Sequence, residues 1–183
     1  KGLQYLETLT SAVTTAWGVD WDEDYIARDV MQNYFDANRG SLSEVKVKVD
    51  GSDVTISAPA PFNLERLYYL GSEKGEDDVG QYGEGAKAAI INLLRDHNVE
   101  PIAVSGDRCV HAPLSDELVG DTGLRPVKYD YYRLPEAYAG TLLLLPGCSD
   151  TLVSALQNGL THFLYDDNPL IGAQLWSSPD GGF

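Results

Sequence analysis

The sequence predicts an α+β fold: a two-layer α/β sandwich, with a mixed sheet and helices on one face. Three observations carry this. Glu44-Val45-Lys46-Val47-Lys48-Val49 alternates strictly, Asp50-Gly51 follows, and Val54-Thr55-Ile56-Ser57 resumes, which is a hairpin pattern. Segments near 22–37, 86–94 and 149–165 instead repeat apolar residues at helical spacing. Short β-prone runs fill the stretch between the last two, so the sum is a sheet with helices layered against it.

In chain order, a first helix is expected from Leu3 to Ala16, ending near Gly18. A second begins at Asp20 or Asp22, either of which can cap it, and stops before Gly40, a suitable C′ glycine. Ile26, Val30 and Tyr34 give that helix an apolar face. After the hairpin, Asn63 can cap a short helix running to Leu70 and closed by Gly71. Ser72 to Gly85 combines Gly75 and Gly80 with the acidic run Glu76-Asp77-Asp78, the composition of a mobile loop or an ordinary solvated one. Ala86–Leu94 follows with good helix formers and an apolar stripe at Ala89, Ile90, Leu93 and Leu94. Strands are expected near Pro101–Ser105, Arg108–Ala112, Val127–Arg133 and Thr141–Leu145. The last helix spans Ser149 to Tyr165, with Leu152, Leu156, Leu160, Phe163 and Leu164 as its core stripe.

Composition narrows the function. The 183 residues suit one domain, 1–183, with a real core, and the expectation is a domain excised from a longer chain. With 28 acidic against 13 basic residues the net charge is -15, which disfavours direct nucleic-acid binding because that rests on Lys and Arg contacts. Cys109 and Cys148 are too few and too isolated for a disulfide framework or a zinc site, so a reducing, cytoplasmic setting is the default. No stretch approaches a membrane span, so no membrane partner is expected.

The chemistry sits in two segments. Asp29, Asn33, Asp36 and Ala37 fall at i, i+4, i+7 and i+8 of the second helix and share one face. Two carboxylates, an amide and a small residue make a poor core face. They suit the wall of a polar pocket, where an amide can hold a hydrated metal and a carboxylate can take a proton. A solvated acidic face is the alternative. The second segment is Gly80-Gln81-Tyr82-Gly83-Glu84-Gly85-Ala86-Lys87. Its glycines let the backbone approach a ligand, and a glycine turn feeding a helix N-terminus offers unpaired N–H groups that suit phosphate. Lys87 adds a point charge. Alone, a tight structural turn explains this loop as well.

Taken together, acid-x-x-x-Asn-x-x-Asp-Ala followed by Gly-x-x-Gly-x-Gly-x-Lys resembles the GHKL ATPases. That superfamily includes gyrase, heat-shock chaperones, sensor histidine kinases, MutL-type repair proteins and MORC proteins. The glycine loop is closest in style to the chaperone and MORC members. Gly140-Thr141 before Leu142–Leu145 is a third, weaker match, and the resemblance spans residues 20–165. It implies a Bergerat ATP-binding fold and magnesium-dependent ATP binding with slow hydrolysis, acting as a conformational switch. It also implies homodimerisation on closure of a lid formed by residues 72–85.

On this resemblance Asn33 binds the magnesium that bridges the phosphates, and Asp29 is the general base that orients the attacking water. Relatives mostly carry Glu there; Asp is one methylene shorter, which reduces its reach. Asp36 and Ala37 would lie beside the nucleotide. Gly80, Gln81, Tyr82, Gly83, Glu84, Gly85 and Lys87 would line the phosphates, Lys74 would be a lid cation, and Thr141 would sit under the adenine through a water. One element departs from the family. Relatives carry Asp-x-Gly-x-Gly after the hairpin, and its Asp accepts the adenine amino group. Aligning Phe62-Asn63-Leu64-Glu65-Arg66-Leu67 with the tail of that motif puts Ser57 at the Asp and replaces the glycines by Pro59 and Pro61. A register shift would bring Asp53 there instead. The departure keeps a second reading open, a GHKL pseudo-ATPase that serves as a protein-interaction module. A sensor kinase has no support around His97, His111 or His162, and a metal-dependent hydrolase using Asp29 and Asp36 rests on acid density alone.

Overall fold

The computed structural model describes residues 2–65 and 83–162. Among these residues five strands and three α-helices form two layers. The strands are β1 (Gln4–Thr14), β2 (Lys46–Asp50), β3 (Asp53–Ala58), β4 (Ile102–His111) and β5 (Pro126–Leu145); the helices are α1 (Glu23–Ala37), α2 (Gly83–Asp96) and α3 (Asp150–His162). The α+β sandwich is therefore as expected.

β5 organises the sheet. β4 runs along one of its edges for almost its whole length. On the other edge β1 pairs with the first half and β3 with the second, and β2 lies outside β3. Every pairing among the described strands is antiparallel, so the expected mixed sheet is corrected. The reason is topological. β3 and β4 run in the same direction with α2 between them in sequence, but β5 is inserted between them and antiparallel to both.

The expected helix over Leu3–Ala16 is strand β1, a second correction. Its apolar residues Leu6, Leu9 and Val13 recur at helical spacing because pairing with β5 slips between Tyr5 and Glu7 and again between Thr10 and Thr14. Each bulge adds residues and shifts which side chain faces inward, so period two is disguised as period three to four. The β-branched content (Thr8, Thr10, Val13, Thr14) is the truer signal. The strands expected at 101–105 and 108–112 are one strand bent at Gly106, whose φ of 57° favours glycine. Those expected at 127–133 and 141–145 are likewise one strand, interrupted in pattern by the exposed stretch around Pro135–Ala139.

The helices cover one face. Asp22 caps α1, its carboxylate accepting from the Tyr25 N–H at 2.9 Å. Ile26, Val30 and Tyr34 are buried as expected. The chain does not use Gly40 as a C′ glycine; Asn38 stands at the C-cap and a 3-10 stretch, Arg39–Glu44, carries the chain to the hairpin. α1 lies between α2 and α3 in the helical layer, and α3 also packs on β2. One core cluster joins α1 and α3 to Val54, Ile56 and Leu145. A second lies under α2, where Ile91 and Leu94 meet Val110, Val127, Tyr129 and Tyr131. In the hairpin, Gly51 takes the positive φ (62°) that its tight turn requires. Asn63 accepts from the Glu65 N–H at 3.1 Å, consistent with the expected cap, while the helix to Leu70 lies outside the described residues.

No helix among the described residues is long and apolar enough to cross a membrane.

Candidate functional site

Two segments far apart in sequence meet at the N-terminal end of α2. Asn92 and Arg95 of that helix hold the β1–α1 connection in place. Asn92 Oδ1 accepts from the Trp21 N–H (3.0 Å), and Arg95 donates to the carbonyls of Trp17 (2.6 Å) and Val19 (2.8 Å). α1 then starts in a fixed register, and its Asp29 carboxylate comes to rest against the backbone of Gly85. A Cβ on residue 85 would collide with Asp29 Oδ1. The third glycine of the loop thus lets a carboxylate approach closely, and its φ does not demand glycine.

Burial pushes the Asp29 carboxyl up from 3.8 to about 6, partly offset by a long hydrogen bond donated by Asn33 Nδ2 (3.4 Å). A carboxyl that changes charge near neutrality suits proton transfer. Asn33 uses its amide nitrogen on Asp29, and among the described residues nothing donates to its Oδ1. That oxygen fits a hard cation, which would take its remaining ligands from water and phosphate. No three His, Cys, Asp or Glu side chains converge on one point among the described residues. Asp36, on the same face, pairs with Arg39 at 3.2 Å, and Ala37 is exposed beside it.

Other expected site residues lie elsewhere. Lys87 is two residues beyond Gly85 and so on the opposite flank of α2, where its ammonium stands 6.0 Å from the centre of the Trp17 ring. Gly83 and Glu84 open α2. Lys74, Gly80, Gln81 and Tyr82 lie outside the described residues, as does most of the expected lid.

Strand geometry turns Ser57 away from α1. Val54, Ile56 and Ala58 are buried toward the helices, so Ser57 faces the other side of the sheet, between Lys46 and Leu142. Asp53 is no substitute; it accepts from the Gly147 N–H at 2.9 Å at the hairpin's turn end. The residue that faces inward beside Thr141 is Ala58. The alternation Val54-Thr55-Ile56-Ser57-Ala58 already contains this answer, because Ser57 cannot share a face with Ile56.

Thr141 is buried, as a residue under a ligand would be, but its hydroxyl donates to the Ala60 carbonyl at 2.7 Å. Its cross-strand neighbour Ser105 donates to the Gly140 carbonyl (3.0 Å) and accepts from the Phe62 N–H (2.8 Å). Asn38, at the end of α1, donates to the Tyr34 carbonyl (2.7 Å) and accepts from the Ala60 N–H (2.8 Å). Gly140, at φ 91°, leaves no room for a Cβ against the Ala58 carbonyl. Asn38 and Ser105 have no motif to betray them; only buried polar groups in need of partners explain their presence.

No protein-family model matches this chain, and no curated protein matches it.

Proposed function

We propose that this domain binds a magnesium–nucleoside triphosphate, ATP by the GHKL resemblance, along the face of α1, hydrolyses it slowly and uses it as a conformational switch. One observation carries the reading: the Asp29 carboxylate, half-withdrawn from water, packed on Gly85 where the glycine loop becomes α2. The two motifs that carried the resemblance are adjacent in space, and their meeting point combines a helix N-terminus with a carboxyl poised near neutrality. Asn33 Oδ1, whose amide nitrogen is turned to Asp29, would take magnesium, which would supply charge neutralisation at the phosphates. Asp29, ionised above about pH 6, would take the proton of the attacking water. Closure with a second copy of the chain would complete the switch.

A second reading, a pseudo-ATPase interaction module, is favoured by Ala58 in the inward position and by Lys87 lying over Trp17. Calorimetric titration of a non-hydrolysable magnesium–ATP analogue, beside Asn33→Ala, separates the two. Saturable binding that weakens at least about tenfold in the variant supports the proposal. A folded domain that takes up no analogue supports the interaction module.

A further inference from the structure

We infer that the C-terminal end of α2 forms a second binding site, for a small zwitterion with an apolar body: a free aliphatic α-amino acid. The site stands apart from the nucleotide reading, since Gly85 and Leu94 lie about 14 Å apart along α2 at 1.5 Å per residue. Beyond that end is a cleft of about 310 Å³ whose lining consists of described residues. Its volume is at the lower limit for small-molecule sites, roughly 300–1,000 Å³, so the ligand is small.

The helix ends in a way that shapes the cleft. Asn98 takes φ 53°, and the Val99 N–H returns to the Leu93 carbonyl at 2.8 Å. Glycine is the usual residue at such a left-handed cap. Asn98, the one non-glycine residue with positive φ among those described, brings a side-chain amide to the cleft instead.

Two opposite charges line the same cleft, each pinned by one bond with further bonding capacity free. Arg125 donates through Nε to the Ser115 carbonyl (2.9 Å), and its Nη2 meets only the fully exposed Asp116 at 3.4 Å. Its Nη1 makes no hydrogen bond among the described residues. The backbone N–H of Arg125 donates to Thr15 Oγ1 at 3.1 Å, which fixes the base of the side chain. Glu100 shares Oε2 with His111 Nε2 at 2.6 Å and leaves Oε1 open. Arg95, the other arginine in the lining, is already committed to the Trp17 and Val19 carbonyls and to Asp96. Leu94, buried, and Leu114, half-buried, make the rest of the lining apolar.

A guanidinium edge suits a carboxylate, the Glu100 oxygen suits an ammonium, and the two leucines suit an aliphatic side chain. A simple anion would leave Glu100 facing a like charge, and a simple amine would do the same to Arg125. An anion also meets a chain of net charge -15, whereas a zwitterion carries no net charge.

The test is a calorimetric titration of the intact chain, without nucleotide, with L-leucine beside two analogues. One is 4-methylpentanoate, which lacks the ammonium; the other is isopentylamine, which lacks the carboxylate. Saturable leucine binding at about 1 mM or tighter, at least about fivefold stronger than either analogue, supports the inference. Glu100→Gln should then lower leucine affinity to that of 4-methylpentanoate for the wild type, and Arg125→Gln to that of isopentylamine. Failure of leucine, valine and methionine to saturate the folded chain overturns the inference, as does an analogue that binds within about fivefold of leucine. Folded variants that keep full leucine affinity overturn it too; Glu100→Gln, an exposed and conservative change, decides alone should Arg125→Gln not fold.

Discussion

The two ends of α1 are built on opposite principles. In its N-terminal half Asp29 is largely buried and held by one long hydrogen bond from Asn33, so its carboxyl titrates near 6. At its C-terminal end Asn38, Thr141 and Ser105 satisfy one another's backbone neighbours with bonds of 2.7–3.0 Å. Each end also carries a glycine with no room for a Cβ, but the obstructing atom differs: a side-chain carboxylate at Gly85, a backbone carbonyl at Gly140. An unsatisfied polar site that a fold tolerates is a candidate for function, whereas a satisfied one is architecture.

Gly140→Ala should break the architectural end with the largest effect. Alanine is strained at a φ of 91°, and its Cβ would meet backbone that cannot rotate away. A loss of roughly 3 kcal/mol or more in urea unfolding is expected, with β3 and β5 forced apart locally. A loss below about 1 kcal/mol would show that the Ala58–Phe62 segment yields easily, and that this end is not rigid.

Asp29→Asn should sharpen the other side. The folded pKa of about 6 lies above the unfolded value near 3.8, so the folded state holds its proton more tightly. The resulting cost is absent below pH 3.8, grows as pH rises, and is complete above pH 6. At neutral pH it is on the order of 2–3 kcal/mol, so Asp29→Asn should be the more stable protein at about pH 7.5 and equal to wild type near about pH 3.5. Parallel stability curves for the two proteins across that range would mean that Asp29 is better solvated than its packing against Gly85 implies.

How far the sequence foretells these two ends differs for a physical reason. The Asp29 end is legible because a helix repeats its faces at a fixed period, so counting residues alone puts Asp29, Asn33, Asp36 and Ala37 on one side. The hairpin is legible from Asp50-Gly51. What misleads is register. Bulges in β1 give Leu6, Leu9 and Val13 a helical spacing, and motif alignment puts Ser57 where strand alternation puts Ala58. Asn38 and Ser105 are invisible because their role exists only across long-range contacts with Ala60 and Phe62.

Thr141→Val removes the bond to the Ala60 carbonyl and a longer one to Ser105 Oγ while keeping the side chain's volume. The Ala60 carbonyl loses its donor, and a destabilisation of about 1–2 kcal/mol is expected in thermal or urea unfolding. The same variant should leave relative affinities for different bases unchanged, since the hydroxyl faces the chain and not a ligand. A new preference for one base would tie Thr141 to the ligand and undo the division between the two ends.

Gly85→Ala is the smallest perturbation of stability and the most direct probe of the comparison. The new Cβ must displace the Asp29 carboxylate, the free end of a side chain, which can turn toward water. Alanine in the first turns of a helix gains up to about 1 kcal/mol over glycine, which offsets the disturbance, so the net stability change should fall within about 1 kcal/mol of zero. Two other readouts should move sharply. The Asp29 pKa, followed by carboxyl NMR, should fall from about 6 toward 3.8 as desolvation is relieved. Analogue affinity should fall at least about tenfold if Asp29 and Asn33 act together at the phosphate end. A variant that keeps both the raised pKa and the affinity would mean the backbone of α2 moves in place of the side chain. The two glycines would then be alike, and the contrast between the ends of α1 would rest on the polar network alone.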